Sequence, residues 1–311
     1  MFSLVLALLS APVSTEIAST EIALAAQPAP LHGTLLAPDG ASAVAVILPG
    51  SGPTDRDGNS PMGVSASTYR LLAEGLAAQG IATVRIDKRG IAASAAAGPA
   101  EADLRFDAYA ADARAWAALA AARAGRSCAW LIGHSEGALV ALKAAQGDEK
   151  ICGLVLLSSA GRPAGAVIRE QLASLPEPMK TQAFAALTEL EAGRTVADTP
   201  PALAALFRPS VQPYLISWLP LDPAALLAAY DGPVFIGQGT TDIQVTVADA
   251  QALAAADPKA TLKLWDGVNH VLKTAPADRA ANLATYADPA LPLAPRVADD
   301  VGAFIQSSRR P

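Results

Sequence analysis

The sequence predicts an α/β fold in which a mostly parallel sheet is covered by helices on both faces. Apolar runs of strand length alternate with segments of helical spacing along most of the 311 residues. Some of these runs, such as 44–48 and 151–157, have no polar interruption, which is typical of strands buried on both faces. Strands that alternate with helices favour parallel pairing, because the helix carries the chain back across the sheet.

Each predicted element rests on an apolar run of strand length, on apolar residues at helical spacing, or on the residue that ends it. Gly80 closes a helix in which Tyr69, Leu72 and Leu76 recur at helical spacing. The predicted strands are 16–24 and 31–37 (an N-terminal hairpin), 44–48, 81–86, 129–132, 151–157, 234–236 and 260–265. The other predicted helices are 104–122, 136–146, 248–256 and a final helix at 296–305.

The stretch 161–230 interrupts the alternation of strands and helices. It has helical patterns and frequent prolines but no strand candidate. We therefore expect a helical cap inserted above the sheet, with the α/β core formed by 26–160 and 231–311. Residues 1–25 are expected to be a signal segment or a flexible N-terminus.

The N-terminus and the cysteines leave the cellular compartment open. Residues 1–11 are apolar and Ala23-Leu24-Ala25 resembles a cleavage site, which favours export to the periplasm. No Lys or Arg precedes the apolar run and 14–21 is polar, which favours a frayed cytoplasmic N-terminus. Cys128 and Cys152 each open an apolar run, so a disulfide between neighbouring strands and two buried thiols both fit the sequence.

The composition argues against several partners and cofactors. A net charge of −6 and a pI near 5.1 disfavour nucleic acid, whose binding needs a concentrated basic surface. No apolar run reaches the ~18–20 residues of a membrane-spanning helix. Dinucleotides are disfavoured because no Gly-x-Gly-x-x-Gly follows a strand, and zinc because His and Cys are not paired at ligand spacing. We expect no cofactor and no metal ion.

One pentapeptide has the pattern of a nucleophile elbow, namely Gly133-His134-Ser135-Glu136-Gly137. It follows an apolar strand and opens a helix, which is the context that this Gly-x-Ser-x-Gly pattern requires. Ser135 would be held in a strained conformation with its hydroxyl exposed, and the two glycines would relieve clashes around it. Ser135 is therefore the predicted nucleophile.

A serine nucleophile needs a base, and the chain has only three histidines. His134 lies inside the elbow and is expected to point away from the reacting centre. His32 lies in the predicted hairpin, before any strand that could carry it to the site. His270 follows the last predicted strand, and loops at strand C-termini are where open α/β sheets place their sites. His270 is the predicted base.

The acid of such a triad lies between the serine and the histidine in the sequence. Asp242 follows the strand 234–236 by a few residues and is the predicted acid, which would orient the imidazole. Asp222 and Asp266 are the alternatives. For the oxyanion hole we expect the backbone N–H of Glu136, next to the nucleophile, and that of Ser51, in the Gly-rich turn after the strand 44–48.

The order of these elements resembles the α/β-hydrolase superfamily over nearly the whole chain after Leu31. It is more narrowly similar to small bacterial carboxylesterases of the EstD kind. The motifs that carry the resemblance are 49–59 (PGSGPTDRDGN), 87–90 (DKRG), 133–137 (GHSEG) and 241–245 (TDIQV). The resemblance implies a carboxylesterase that prefers short acyl chains. Two positions depart from the family: Pro49 replaces a common His, and Ala92 replaces the second Gly of Arg-Gly-x-Gly-x-Ser.

The acidic residues around the Gly-rich turn are expected to be structural. Asp55, Asp57 and Asn59 alternate as at the start of a calcium loop, but Ser60 and Ala66 stand where that motif has Gly and Glu. We therefore expect Arg56 and these aspartates to rigidify the oxyanion loop.

The leading hypothesis is hydrolysis of a small-molecule ester through an acyl-enzyme on Ser135. A peptidase or thioesterase with the same triad is the first alternative, because the fold does not fix the leaving group. A non-catalytic binding protein of the same fold is the second alternative. The sequence does not fix the oligomeric state.

Overall fold

Eight strands form one sheet in residues 17–308, the part of the chain that the computed structural model describes. The strands are β1 (Ser19–Leu24), β2 (Leu31–Leu36), β3 (Ala43–Leu48), β4 (Ile81–Ile86), β5 (Ala129–His134), β6 (Ile151–Leu157), β7 (Val234–Gly239) and β8 (Thr261–Trp265). The α-helices are α1 (Thr68–Ala77), α2 (Phe106–Arg123), α3 (Glu136–Ala144), α4 (Ala164–Leu172), α5 (Met179–Glu191), α6 (Ala204–Phe207), α7 (Gln212–Trp218), α8 (Pro223–Ala228), α9 (Val247–Ala256), α10 (Arg279–Ala284) and α11 (Val297–Ser307).

The strand order is β1-β2-β4-β3-β5-β6-β7-β8. β2 pairs antiparallel with β1 and with β4, and the remaining pairs are parallel. Leu48 is level with Gly133, and His134 is level with Leu157. The carboxyl ends of β3, β5 and β6 therefore meet at one edge of the sheet, where the loops that follow them come together.

Side chains of the central strands alternate between two apolar cores, one on each face of the sheet. In β3, Val44, Val46 and Leu48 belong to the core under α2 and α3, whereas Ala45 and Ile47 belong to the core under α1 and α11. This two-residue alternation within an uninterrupted apolar run is what a sheet covered on both faces requires. The predicted fold class is confirmed.

The helices α4 to α8 lie between β6 and β7, in the stretch that was expected to form a cap. Their buried side chains, such as Ile168, Leu187 and Phe207, belong to the same apolar core as α2 and α3. Within residues 17–308, no helix combines the length and apolar character needed to cross a bilayer.

The N-terminal expectations are partly corrected. The predicted hairpin is present, and β1 pairs with β2 so that Ser19 lies opposite Leu36 and Leu24 lies opposite Leu31. The flexible stretch expected up to residue 25 therefore does not include β1, and a cut at Ala23-Leu24-Ala25 would remove that strand. Residues 1–16, which contain the apolar run of the expected leader, lie outside the described residues.

Cys128 and Cys152 form a disulfide. The bond joins neighbouring parallel strands, β5 and β6, near their amino ends, so it lies at the edge of the sheet opposite the carboxyl-end loops. The sequence left open a disulfide or two buried thiols, and the structure shows the disulfide. The helix α10 was not predicted, because its six residues are too few to show a helical period.

Ala92, one of the two departures from the esterase motif, has a left-handed backbone with φ 45°. Glycine adopts this conformation freely, whereas a side chain costs about 1–2 kcal/mol there. The neighbouring Ser94 is buried and its hydroxyl accepts the backbone N–H of His32 at 2.8 Å, which holds the turn in place. The turn thus has the left-handed conformation that glycine favours, without a glycine.

We expect Ala92→Gly to stabilise the protein. Glycine removes the left-handed strain of the native state, but it also costs about 0.4–1 kcal/mol because it gives the unfolded chain more conformational freedom. The strain is the larger of the two, so the free energy of unfolding should rise by about 0.5–1 kcal/mol. Thermal unfolding should show a rise in Tm of about 1–3 °C. Ala95→Gly is the matched control, because Ala95 lies in the same turn without a positive φ and should lose stability. Equal losses in both variants would contradict the strain at Ala92.

Candidate active site

Ser135 lies at the sharp turn between β5 and α3, with φ 55° and ψ −122°. A side chain held there costs about 1–3 kcal/mol of strain. The Ser135 N–H donates to the Leu157 carbonyl at 2.9 Å, which fixes the turn against β6. A Cβ at Gly133 would collide with the Gly137 carbonyl, and a Cβ at Gly137 with the Leu48 carbonyl. Both glycines of the elbow are therefore required by backbone contact.

The carboxylate of Asp242 is bound to the ring of His270, with 2.9 Å between Asp242 Oδ2 and His270 Nδ1. The Asp242 side chain is fully buried and that of His270 is 7% exposed. Burial alone would raise the pKa of Asp242, but the adjacent His270 ring and the backbone N–H groups of Val245 and Gln244 outweigh it and keep the pKa below its usual value. The ionised carboxylate can only accept, so Nδ1 donates and Nε2 keeps its lone pair.

Neither alternative acid contacts His270. Asp222 caps the first turn of α8 by accepting the N–H groups of Ala224 and Ala225. Asp266 accepts from the hydroxyl of Thr240 at 3.1 Å. The carboxylate of Asp242 has a further partner that the sequence did not suggest, since Gln238 Nε2 donates to its Oδ2 at 3.2 Å.

Ser135, His270 and Ser51 line one cavity of about 160 Å³. The structure thus brings the predicted nucleophile, base and oxyanion residue to the same space. Among residues 17–308, no hydrogen bond joins the Ser135 hydroxyl to another group. Hydrogen bonds of this kind often tighten only when substrate is bound, so a long separation here is compatible with His270 as the base.

His134 is buried and connects the elbow to both neighbouring loops. Its Nε2 lies 2.7 Å from the His270 backbone carbonyl, which can only accept, so Nε2 carries the proton. Its Nδ1 must then accept from the hydroxyl of Tyr69 at 2.9 Å. The Tyr69 oxygen in turn accepts the Gly50 N–H at 2.9 Å. A single chain of hydrogen bonds therefore runs from the oxyanion loop to the backbone of the predicted base.

The pKa values of this chain favour one protonation state. Burial and, to a smaller extent, the nearby His270 lower the pKa of His134 to about 3. Burial raises the pKa of Tyr69, so its hydroxyl keeps its proton. His134, which was expected to point away from the reacting centre, is bound through its ring to Tyr69 and to the His270 carbonyl. It is a buried link between loops, a role that the sequence did not reveal.

The two predicted oxyanion donors lie next to the nucleophile. Glu136 begins α3, so its N–H has no acceptor one turn earlier in the helix. Ser51 follows Gly50, where a Cβ would come within 3.3 Å of Ser135 Cβ. Within the described part of the chain, the Ser51 N–H donates to no protein group. Within residues 17–308, neither N–H group therefore has a protein acceptor, as a donor to a ligand oxygen would require.

The side chain of Glu136, whose place the sequence left undecided, is buried. Its Oε1 lies 3.8 Å from Lys88 Nζ, and Nζ donates to the Gly50 carbonyl at 2.5 Å. Burial lowers the pKa of Lys88, and Glu136 opposes that shift. The sequence identified Lys88 only as part of the 87–90 motif and gave it no role.

Charged side chains hold the rest of the oxyanion loop, as expected. Arg56 is bound by Asp87, with 2.9 Å from Nε and 2.7 Å from Nη2 to Oδ2, and Arg85 is bound to Asp57. The Asp55 carboxylate accepts the N–H groups of residues 57 and 59 within its own loop. In residues 17–308, no three His, Cys, Asp or Glu side chains are grouped so that they could hold a metal ion.

A second cavity, of about 130 Å³, is also lined by Ser135. It is lined by Ser51, Ser135 and Glu136, by Leu139 of α3, and by Val167 and Trp218 of the expected cap. His270 does not line it. The two cavities therefore share the nucleophile and the oxyanion loop, but only the first contains the predicted base.

The sheet order, the elbow and the Asp–His pair after β7 and β8 have the arrangement of the α/β-hydrolase fold. The fold predicted from the sequence is confirmed. Residues 61–198 match the sequence model of a family described as serine aminopeptidase, S33. The matched stretch is less than half of the chain and contains Ser135 but neither Asp242 nor His270.

Several solved structures share the fold at low sequence identity. An esterase of Pyrococcus furiosus is 18% identical, with a TM-score of 0.61 over 94% of this chain and 91% of that one. Est1E of Butyrivibrio proteoclasticus with bound ferulic acid is 18% identical, with a TM-score of 0.61 over 92% and 98%. An esterase domain of a Rhodothermus marinus protein is 17% identical, with a TM-score of 0.57 over 93% and 99%. No curated protein matches the chain.

We expect His134 to make the protein sensitive to mild acid. The unfolded chain binds a proton at this side chain below pH 6.5, whereas the native state does not do so until about pH 3. The free energy of unfolding should therefore fall with decreasing pH, by about 2 kcal/mol between pH 7 and pH 5 from this group.

Urea unfolding of His134→Gln at both pH values tests this expectation. Gln offers one donor and one acceptor but does not titrate, so the variant should lose about 2 kcal/mol less than the wild type over the same interval. An identical pH dependence in the two proteins would show that His134 is not held neutral.

Proposed function

We propose that the protein is a serine carboxylic-ester hydrolase that acts on short-chain acyl esters through an acyl-enzyme on Ser135. His270 is the general base and Asp242 orients it. The observation that carries the proposal is the buried Asp242–His270 hydrogen bond at Nδ1, which in the neutral ring leaves the lone pair on Nε2, together with the cavity that His270 and Ser135 both line. The matched family and the esterase folds support a serine hydrolase of the carboxylesterase type.

Acylation proceeds in two steps, attack on the ester carbonyl and loss of the alcohol. His270 Nε2 takes the proton of Ser135 Oγ while Oγ bonds to the ester carbonyl carbon, whose oxygen becomes an oxyanion. The N–H groups of Ser51 and Glu136 stabilise that charge, which is usually the largest single contribution to such a rate. His270 then gives its proton to the alcohol oxygen as the ester bond breaks, and the alcohol leaves.

Deacylation repeats these steps with water. His270 takes a proton from water, whose oxygen attacks the acyl carbon, and the same two N–H groups stabilise the second oxyanion. Collapse of this intermediate returns the proton to Ser135 Oγ and releases the acid. Asp242 stays ionised throughout and stabilises the imidazolium, as its lowered pKa favours.

The two cavities receive different halves of the ester. The base must reach the alcohol oxygen in order to protonate it, so the cavity that His270 lines takes the alcohol. The other cavity, lined by Leu139, Val167 and Trp218, takes the acyl chain. Its volume of about 130 Å³ and the apolar side chains among its lining residues support short acyl chains.

An aminopeptidase is the second candidate. The matched family is described as serine aminopeptidase, and the Glu136 carboxylate that lines the acyl-side cavity offers a partner for a substrate ammonium. Lys88 lies 3.8 Å from that carboxylate and offsets its charge, which favours an uncharged acyl group instead. Turnover of alanine p-nitroanilide well above that of p-nitrophenyl acetate would favour the peptidase.

Ser135→Ala should lose ester hydrolysis by about 10⁴-fold or more in kcat, because the nucleophile is removed. The measurement is p-nitrophenyl acetate turnover, together with labelling by a fluorophosphonate, which should also disappear. Ser65→Ala is the control, since its hydroxyl is bound to the Ala287 carbonyl and lies outside both cavities. Turnover that survives in Ser135→Ala would exclude the mechanism. A wild type with neither turnover nor labelling would favour a binding protein.

Two matched substitutions should separate acyl from alcohol specificity. Val167→Phe narrows the acyl side and should lower kcat/KM for p-nitrophenyl hexanoate at least about tenfold relative to the acetate. Val64→Phe narrows the alcohol side and should lower kcat/KM for naphthyl acetate by a similar factor relative to methyl acetate. Val167→Phe should change the ratio for naphthyl and methyl acetate by no more than about twofold, and Val64→Phe should change the ratio for hexanoate and acetate by no more than about twofold. Interchanged effects would mean that the two cavities are assigned the wrong way round.

A further inference from the structure

Lys88 lies directly behind the oxyanion loop and is buried. Its Nζ has three neighbours: the Gly50 carbonyl at 2.5 Å, Glu136 Oε1 at 3.8 Å, and the ring of Tyr109, whose centroid is 5.5 Å away. The shortest of these contacts is to a backbone atom of the loop. A buried amine directed at a loop carbonyl restricts how that peptide can turn.

The peptide that Lys88 holds also contains the oxyanion donor. The Gly50 carbonyl and the Ser51 N–H belong to the same planar unit, and in a trans peptide they point in opposite directions. A carbonyl held towards Lys88 therefore directs the Ser51 N–H away from Lys88, to the side on which Ser51 lines both cavities with Ser135. Rotation of this one peptide would remove the donor from the site.

We propose that Lys88 is a positioning residue, which sets the orientation of the Ser51 N–H by holding the Gly50 carbonyl. The inference rests on the proposed function, because it assigns Ser51 to the oxyanion hole. The preceding peptide is fixed independently, since the Gly50 N–H is bound to the Tyr69 hydroxyl. Lys88 also contacts the side chain of Glu136, whose backbone supplies the other donor, so one amine borders both halves of the hole.

A bond between a buried lysine and a carbonyl is not by itself evidence of function. Lys273 is also buried, and its Nζ donates to the Leu291 carbonyl at 2.5 Å. The difference lies in the peptide that is held, because the next N–H after the Gly50 carbonyl lies beside the nucleophile. A test must therefore measure oxyanion stabilisation separately from stability.

The experiment compares the wild type with Lys88→Met in kinetics and in binding of two ketones. Met fills similar space without a donor, so kcat for p-nitrophenyl acetate should fall about 10–100-fold while KM stays within about threefold. A trifluoromethyl ketone forms a tetrahedral oxyanion on the serine, whereas the matching methyl ketone stays trigonal. Affinity for the first should fall by a factor similar to that of kcat, and affinity for the second should stay within about threefold.

Three further variants separate orientation from folding. Lys143→Met removes a lysine of α3 that pairs with Asp107 outside the site, and it should keep the wild-type ratio of the two ketone affinities. Lys88→Arg keeps a cationic donor and should recover part of the loss. If Lys88→Met does not fold, as judged by its Tm, the ratio of the two ketone affinities is measured in Lys88→Gln instead. Gln keeps a shorter donor, so its ratio should lie between that of the wild type and that expected for Met.

Two results would overturn the inference alone: an unchanged ketone ratio in the Lys88 variants of an active enzyme, or equal losses of affinity for both ketones. A wild type that neither hydrolyses esters nor prefers the trifluoromethyl ketone would overturn the proposed function, and this inference with it.

Discussion

The hydrogen bond from His134 Nε2 to the His270 carbonyl determines the arrangement of the groups around the elbow. A carbonyl only accepts, so the bond fixes the tautomer of His134, the direction of the Tyr69 hydroxyl, and the acceptor available to the Gly50 N–H. Each member of this chain is buried, and a missing partner would leave a polar group unpaired at a cost of about 1–3 kcal/mol. The loop of the base and the loop of the oxyanion hole are thereby held against the residue that precedes the nucleophile.

Much of the fold and the residues of the candidate triad could be predicted from the sequence because their signals are local. Uninterrupted apolar runs marked β3 and β6, and the elbow glycines are required by contacts between backbone segments that the motif itself brings together. Asp242 and His270 could be identified because each follows a strand, and parallel strands deliver their carboxyl ends to one edge. Their pairing followed from chain order and topology, without any knowledge of side-chain packing.

The residues that the sequence did not reveal act through contacts between distant segments. Tyr69 recurs at helical spacing like any core residue, and nothing distinguishes Lys88 from the other six lysines until β3 and β4 are placed side by side. Gln238 lies within a buried strand, where its bond to Asp242 depends on the turn that follows. Glu136 is a charged residue in the first turn of a helix, a position that is usually solvated, and its burial beside Lys88 depends on segments far away in the sequence.

The division of space around Ser135 has a consequence for the order in which molecules enter and leave. Under the proposed roles, the alcohol leaves first and vacates the cavity beside His270, while the acyl group still fills the other one. The water that completes the cycle must occupy the vacated cavity, because it too gives its proton to His270. A second alcohol fits the same cavity and the same base, so ester exchange competes with hydrolysis in proportion to the alcohol supplied.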